Sequence, residues 1–167
     1  LVLKYTVSAV LFNKEKIRNA NVTIDEFITP FDASVILQYT TGLISALPYG
    51  GVQMTNGRLI YDGTTTFSDG KYCVNFNVSD KSNIYSFLSE ITSASPGFRI
   101  DSVLTLRQNT LFAEKLEANR HLGGLAGVTP IWESTAGPIV RVYVSTISGG
   151  SGLPSLKVKY RFNEMPE

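Results

Sequence analysis

The chain has little charge for its length. Only 17% of its 167 residues are Asp, Glu, Lys or Arg, and the net charge is +1, against an average near 25% charged for soluble domains. Bulk electrostatics therefore gives no argument for nucleic-acid binding, and any basic surface must be local. There is one cysteine, Cys73, which excludes an internal disulfide framework. There is one histidine, His121, which with so few thiols excludes an all-protein zinc site of the Cys/His kind. No apolar run approaches the roughly 20 residues of a membrane span. No signal-peptide or lipidation pattern is present. What replaces charge is Ser, Thr, Asn and Gly, a composition suited to short strands and turns and frequent among extracellular and particle-forming proteins.

The clearest positive signal lies in the last third. Ile139 to Ser145 and Leu156 to Asn163 alternate between two faces. In the second segment Leu156, Val158, Tyr160 and Phe162 share one side, and Lys157, Lys159, Arg161 and Asn163 the other. A period of two with β-branched and aromatic residues specifies half-buried strands. The GGSGLPS stretch between them reads as a hairpin connection. It is not a phosphate loop, because no Gly-Lys-Ser/Thr follows.

Further strands are expected over Leu1 to Phe12, Asn19 to Ile28 and Phe98 to Leu106. Hairpins are expected at Asn56-Gly57, between Val52–Met54 and Leu59–Tyr61, and at Asp69-Gly70, between Thr64–Phe67 and Tyr72–Val78. Both dipeptides tolerate positive φ. Cys73 falls in the Lys71 to Val78 run and reads as a small buried thiol. Ser34 to Leu47 fits either a strand or a short helix. The i, i+3, i+4, i+7 spacing of Ile84, Phe87, Leu88 and Ile91 predicts a helix over Lys81 to Thr92. A second helix is expected over Asn109 to Leu122, ended by Gly123, followed by a loop from Gly123 to Gly137 with the only tryptophan, Trp132.

Together these give seven or eight strands and one or two short helices in the connections. The fold class is all-β: an antiparallel two-sheet sandwich, jelly-roll-like, in one domain over residues 1–167. An immunoglobulin-like sandwich is the second choice, lacking its Cys–Trp–Cys pattern. Because Leu1 falls inside an apolar alternation, the chain reads as part of a longer protein.

No catalytic set converges. His121 is expected as a solvated cation at a helix C-terminus. Asp62 with Asp69, and Asp25 with Glu26, lack the EF-hand pattern and read as turn and surface acids, so no metal and no cofactor is expected. The acids cluster in turns and helices instead of on inward strands, which argues against glycoside hydrolysis. No enzymatic activity is expected.

The basic side of the last strand is the main candidate site. With Lys4 and Arg141 on other predicted strands, Lys157, Lys159 and Arg161 would form a stripe for nucleic acid or an acidic partner. No aromatics interleave with these charges, which argues against base stacking. Trp132, a loop tryptophan, is the expected subunit-interface residue.

Pro138 to Val144, the glycine-rich connection and Leu156 to Asn163 resemble the closing strands of a viral capsid jelly roll, as in the shell domains of nodaviruses and tetraviruses. The resemblance implies a coat subunit that assembles with copies of itself, a virion location, a basic inner side facing viral RNA, no membrane insertion and no substrate turnover. It also accommodates a protruding domain that meets a host receptor or glycan. The arginine-rich arm of such capsids is absent here. The competing expectation is a ligand- or glycan-binding sandwich module, with Trp132, Tyr49, Tyr61 and Tyr143 as platforms.

Overall fold

A computed structural model describes the chain except for residues 24–26, 48–54, 56, 109, 118, 148–149 and 164–167. Three helices come first: α1 (Val2–Thr6), α2 (Lys14–Ala20) and α3 (Pro30–Thr40). Eight strands follow: β1 (Leu59–Thr66), β2 (Lys71–Val78), β3 (Ser86–Ser93), β4 (Phe98–Thr105), β5 (Thr110–Glu117), β6 (Arg120–Gly127), β7 (Val140–Thr146) and β8 (Leu156–Phe162). They form two four-stranded antiparallel sheets, β1-β2-β7-β4 and β5-β6-β3-β8. From β2 to β4 and from β6 to β8 the chain alternates between sheets. The two sheets share one core, and the strand order is jelly-roll-like. The expected antiparallel two-sheet sandwich is therefore what the chain forms.

The core fills the space between the sheets. Val74, Phe76 and Val78 of β2 and Val140, Val142 and Val144 of β7 meet Phe87 and Ile91 of β3, Leu125 of β6 and Phe162 of β8. Leu156, Val158 and Tyr160 pack on the same cluster, so the expected inward face of β8 is present. The Asp69-Gly70 hairpin also forms. Asp69 and Gly70 take φ of 63° and 67°, and a Cβ on Gly70 would lie 2.0 Å from Thr146 Oγ1. The Asn56-Gly57 hairpin falls partly outside the described residues.

Four elements differ from expectation. Leu1 to Phe12 is not a strand. Leu3 and Val7 are four residues apart, which also fits one helical face, and α1 buries both against Ala33, Ala113 and Ala126. Asn19 to Ile28 is not a strand in its described part, because Asn13 caps α2 through Lys16 N–H (2.9 Å) and the helix runs to Ala20. Lys81 to Thr92 is not a helix. Its second half lies in β3, with Phe87, Ser89 and Ile91 inward, and the outward Leu88 is covered by α1 and α3. A strand apolar on both faces loses its two-residue period and mimics a helix. In the described part of Asn109 to Leu122 there is no helix but β5 paired with the start of β6, for the same reason: Phe112 faces the core while Ala113 faces the helices. β6 runs on to Gly127, so the expected loop from Gly123 begins only after it.

The helices thus precede the strands, and α1 and α3 form a layer on the outer face of β5-β6-β3-β8. Of the Ser34 to Leu47 segment, residues 34–40 are the later part of α3 and residues 41–47 are turns and irregular chain, neither strand nor helix. Thr29 and Asp32 form a capping box and Pro30 starts the helix. β7 and β8 lie in different sheets, so the glycine-rich stretch between them crosses the sandwich and is not a hairpin.

Candidate functional site

The register places the basic residues of β8 on the outer face of its sheet, in three rows across β8, β3 and β6. Arg161 stands beside Leu88 and Gly124, Lys159 beside Glu90 and Leu122, and Lys157 beside Thr92 and Arg120. Among the described residues these three cations and Arg120 stand around Glu90, with Glu117 of β5 on the far side of Arg120. Glu90 accepts from Arg120 Nε at 2.8 Å. Lys159 forms no ion pair among the described residues.

The helical layer walls this face on one side. α1 lies over Gly124, where a Cβ would sit 3.4 Å from Thr6 Oγ1 and Val7 Cγ1. Between wall and sheet runs a groove of about 310 Å³, lined in part by Thr6, Ser8, Phe27, Glu90, Lys159 and Arg161. The Arg161 guanidinium stands 5.8 Å from the Phe27 ring centre, which holds the cation at the groove's end.

The structure brings Lys157, Lys159 and Arg161 together and separates the other two expected members. Lys4 is on α1, beside Leu1, Ala33 and Leu111 at the β5 side of the helical layer. Arg141 is on β7, between Asn75 and Leu104, on the outer face of the opposite sheet. A five-residue stripe does not exist, because β7 and β8 belong to opposite sheets. Arg120 and Glu90 were missed by sequence reasoning. The alternation of Arg120, Leu122 and Gly124 is the signal that would have placed Arg120 on this face.

Trp132 is not a surface anchor. It is fully buried in the chain's own core, edge-on to Phe87 (5.1 Å) and Phe162 (6.2 Å), and its indole N–H donates to Leu106 O at 3.0 Å. It has no surface to offer a partner or a sugar. Cys73 is buried, and burial pushes its thiol pKa up.

His121 is also not a solvated cation. It points inward from β6 at 1% exposure. Its Nε2 lies 3.2 Å from Glu114 Oε2, and its Nδ1 has no partner among the described residues. Burial holds its pKa below the ordinary value, with Arg107 adding to the depression and Glu114 opposing it. The fold therefore favours neutral His121, while the unfolded chain takes up a proton near pH 6.5. That stability is present above pH 6.5 and lost as the pH falls below it. Urea unfolding should show lower stability at pH 5.5 than at pH 7.5 from this source, a difference reduced in His121→Phe.

The imidazole lies over Gly123, where a Cβ would be 2.8 Å from His121 Cε1. Gly123→Ala should therefore destabilise the fold by about 1–3 kcal/mol, measured by the same unfolding experiment, although alanine is ordinarily the better strand residue.

Among the described residues no three His, Cys, Asp or Glu side chains gather as a metal site. Asp62 lies in β1 and Asp69 in the hairpin turn. Asp25, Glu26 and Tyr49 lie outside the described residues.

No family model and no curated protein matches this sequence. Among solved structures, a non-cellulosomal cohesin from the hyperthermophilic archaeon Archaeoglobus fulgidus is similar, with a TM-score of 0.43 and 18% identity over 57% of this chain and 70% of that one. The fold assignment rests on the strand order of the chain itself.

Proposed function

We propose that the chain is a structural subunit that associates with copies of itself, as the coat subunit of a particle shell does, and that it acts by contact without turnover. The observation that carries this reading is the edge strand β1. Among the described residues it ends its sheet, its one charged residue is Asp62, it contains no lysine and no proline, and it exposes Ile60 and Tyr61 at 43% and 63%. Phe67, just past its end, is exposed at 47%. An unpaired strand edge lined with apolar side chains is a template for pairing with another chain, and natural sheets blunt such edges with lysine or proline. The bulge between Tyr61 and Thr64 and the charge of Asp62 limit regular pairing to part of the strand. The jelly-roll-like strand order supports the shell comparison.

Ile60→Lys with Tyr61→Lys tests the reading. Both side chains are on the surface, so the unfolding free energy should change by less than about 1 kcal/mol. Chemical cross-linking, which should trap oligomers of the unaltered chain, should then trap monomer alone. Equal cross-linking of both proteins would remove β1 from the contact.

A further inference from the structure

The opposite sheet has an edge of different character. β8 is its last strand, and among the described residues no strand lies on its far side. It pairs with β3 over seven residues without a bulge and contains no proline. Both faces of this edge are incompletely met. On the inner side Leu156, Val158 and Tyr160 belong to the core yet remain half-buried. On the outer side Lys157 and Lys159 are exposed and Arg161 is half-buried, while Glu90, the carboxylate beside them among the described residues, is already bonded to Arg120.

Residues on one face of a strand recur every ~6.6–7 Å. An extended polypeptide with a carboxylate at every second residue has the same period. Laid beside β8, it would bring each carboxylate next to a cation, and its intervening side chains would fall on the half-covered inner face. We infer that β8 accepts an acidic extended segment of a partner protein as a fifth strand, acidic side chains outward and apolar side chains inward. Phe27 stands near Arg161, so the added strand runs along Leu156 to Tyr160. Backbone hydrogen bonds supply the affinity, and opposite charges across neighbouring strands set the register. The lysines that protect this edge against pairing with its own kind select a partner of opposite charge. The surface is separate from β1, so the inference stands independently of self-association.

The test is fluorescence anisotropy of a labelled seven-residue peptide alternating glutamate with valine, titrated with the 167-residue chain. Saturable binding is expected. It should weaken at least about tenfold in Lys157→Glu with Lys159→Glu, a variant checked for folding by circular dichroism, and equally when the glutamates are regrouped into one block. N-methylation of every second backbone nitrogen should abolish binding in one of the two possible registers and spare it in the other. Absence of binding, equal affinity for the blocked peptide, tolerance of N-methylation in both registers, or tighter binding of a single-stranded RNA of similar length would each overturn the inference. The RNA result would assign the face to phosphates instead.

Discussion

Replacing Trp132 with alanine should lower the unfolding free energy by about 3–5 kcal/mol, the range for removing a large aromatic side chain from a core. The loss combines two parts. The indole packs against Phe87 and Phe162 at 0% exposure, so truncation opens a cavity between the sheets. Its N–H also serves Leu106 O, the carbonyl just past β4, which would lose that donor. Trp132→Phe should lose much less, because it refills most of the space and forfeits mainly the hydrogen bond, a net contribution of about 1 kcal/mol. Urea midpoints of the two variants separate these parts. A cost below about 1 kcal/mol for Trp132→Ala would place the indole outside the core.

Asp32→Ala should cost about 2–4 kcal/mol, because the carboxylate serves three separate backbone N–H groups and leaves them without a partner when it is removed. Oδ1 accepts from Val22 N–H (2.9 Å), from Thr23 N–H (3.3 Å) and from the Thr23 hydroxyl (3.0 Å). Oδ2 accepts from Thr29 N–H at 2.8 Å and completes the capping box of α3. One buried side chain thus ties the α2–α3 connection to the helix it starts. Burial raises the Asp32 pKa despite these donors. The stability linked to its protonation is therefore full below the unfolded value near 3.8 and declines as the pH rises through the folded one. Asp32→Asn keeps an acceptor for Val22 and Thr23 but turns an amide donor toward Thr29 N–H. It should fall between wild type and Asp32→Ala in urea unfolding. An alanine variant as stable as the asparagine one would mean that the connection is held by other contacts.

How far the sequence alone reaches depends on how many faces of an element are covered. β2, β4, β7 and β8 have one face in the core and the other toward solvent, and their alternation was legible. β3, β5 and β6 have part of their outer faces under α1 and α3, so Leu88 and Ala113 broke the two-residue period. Their pattern became helical on paper, and only the tertiary arrangement decides otherwise. At the N-terminus the ambiguity ran the other way. Leu3 and Val7 satisfy a strand face and a helix face equally, and packing on Gly124 and Ala126 selects the helix. The candidate face shows the same division. Lys157, Lys159 and Arg161 could be read from one strand. Arg120 and Glu90 depended on the misread strands, and the misplaced Lys4 and Arg141 depended on which sheet each element joins, information carried by long-range pairing.

Sedimentation velocity of the 167-residue chain across a wide range of concentration tests self-association most directly. The account predicts a mass that climbs well above the 18.3 kDa monomer as concentration rises, with the Ile60→Lys, Tyr61→Lys variant remaining monomeric under the same conditions. A wild-type chain that sediments as an 18.3 kDa species throughout would contradict it.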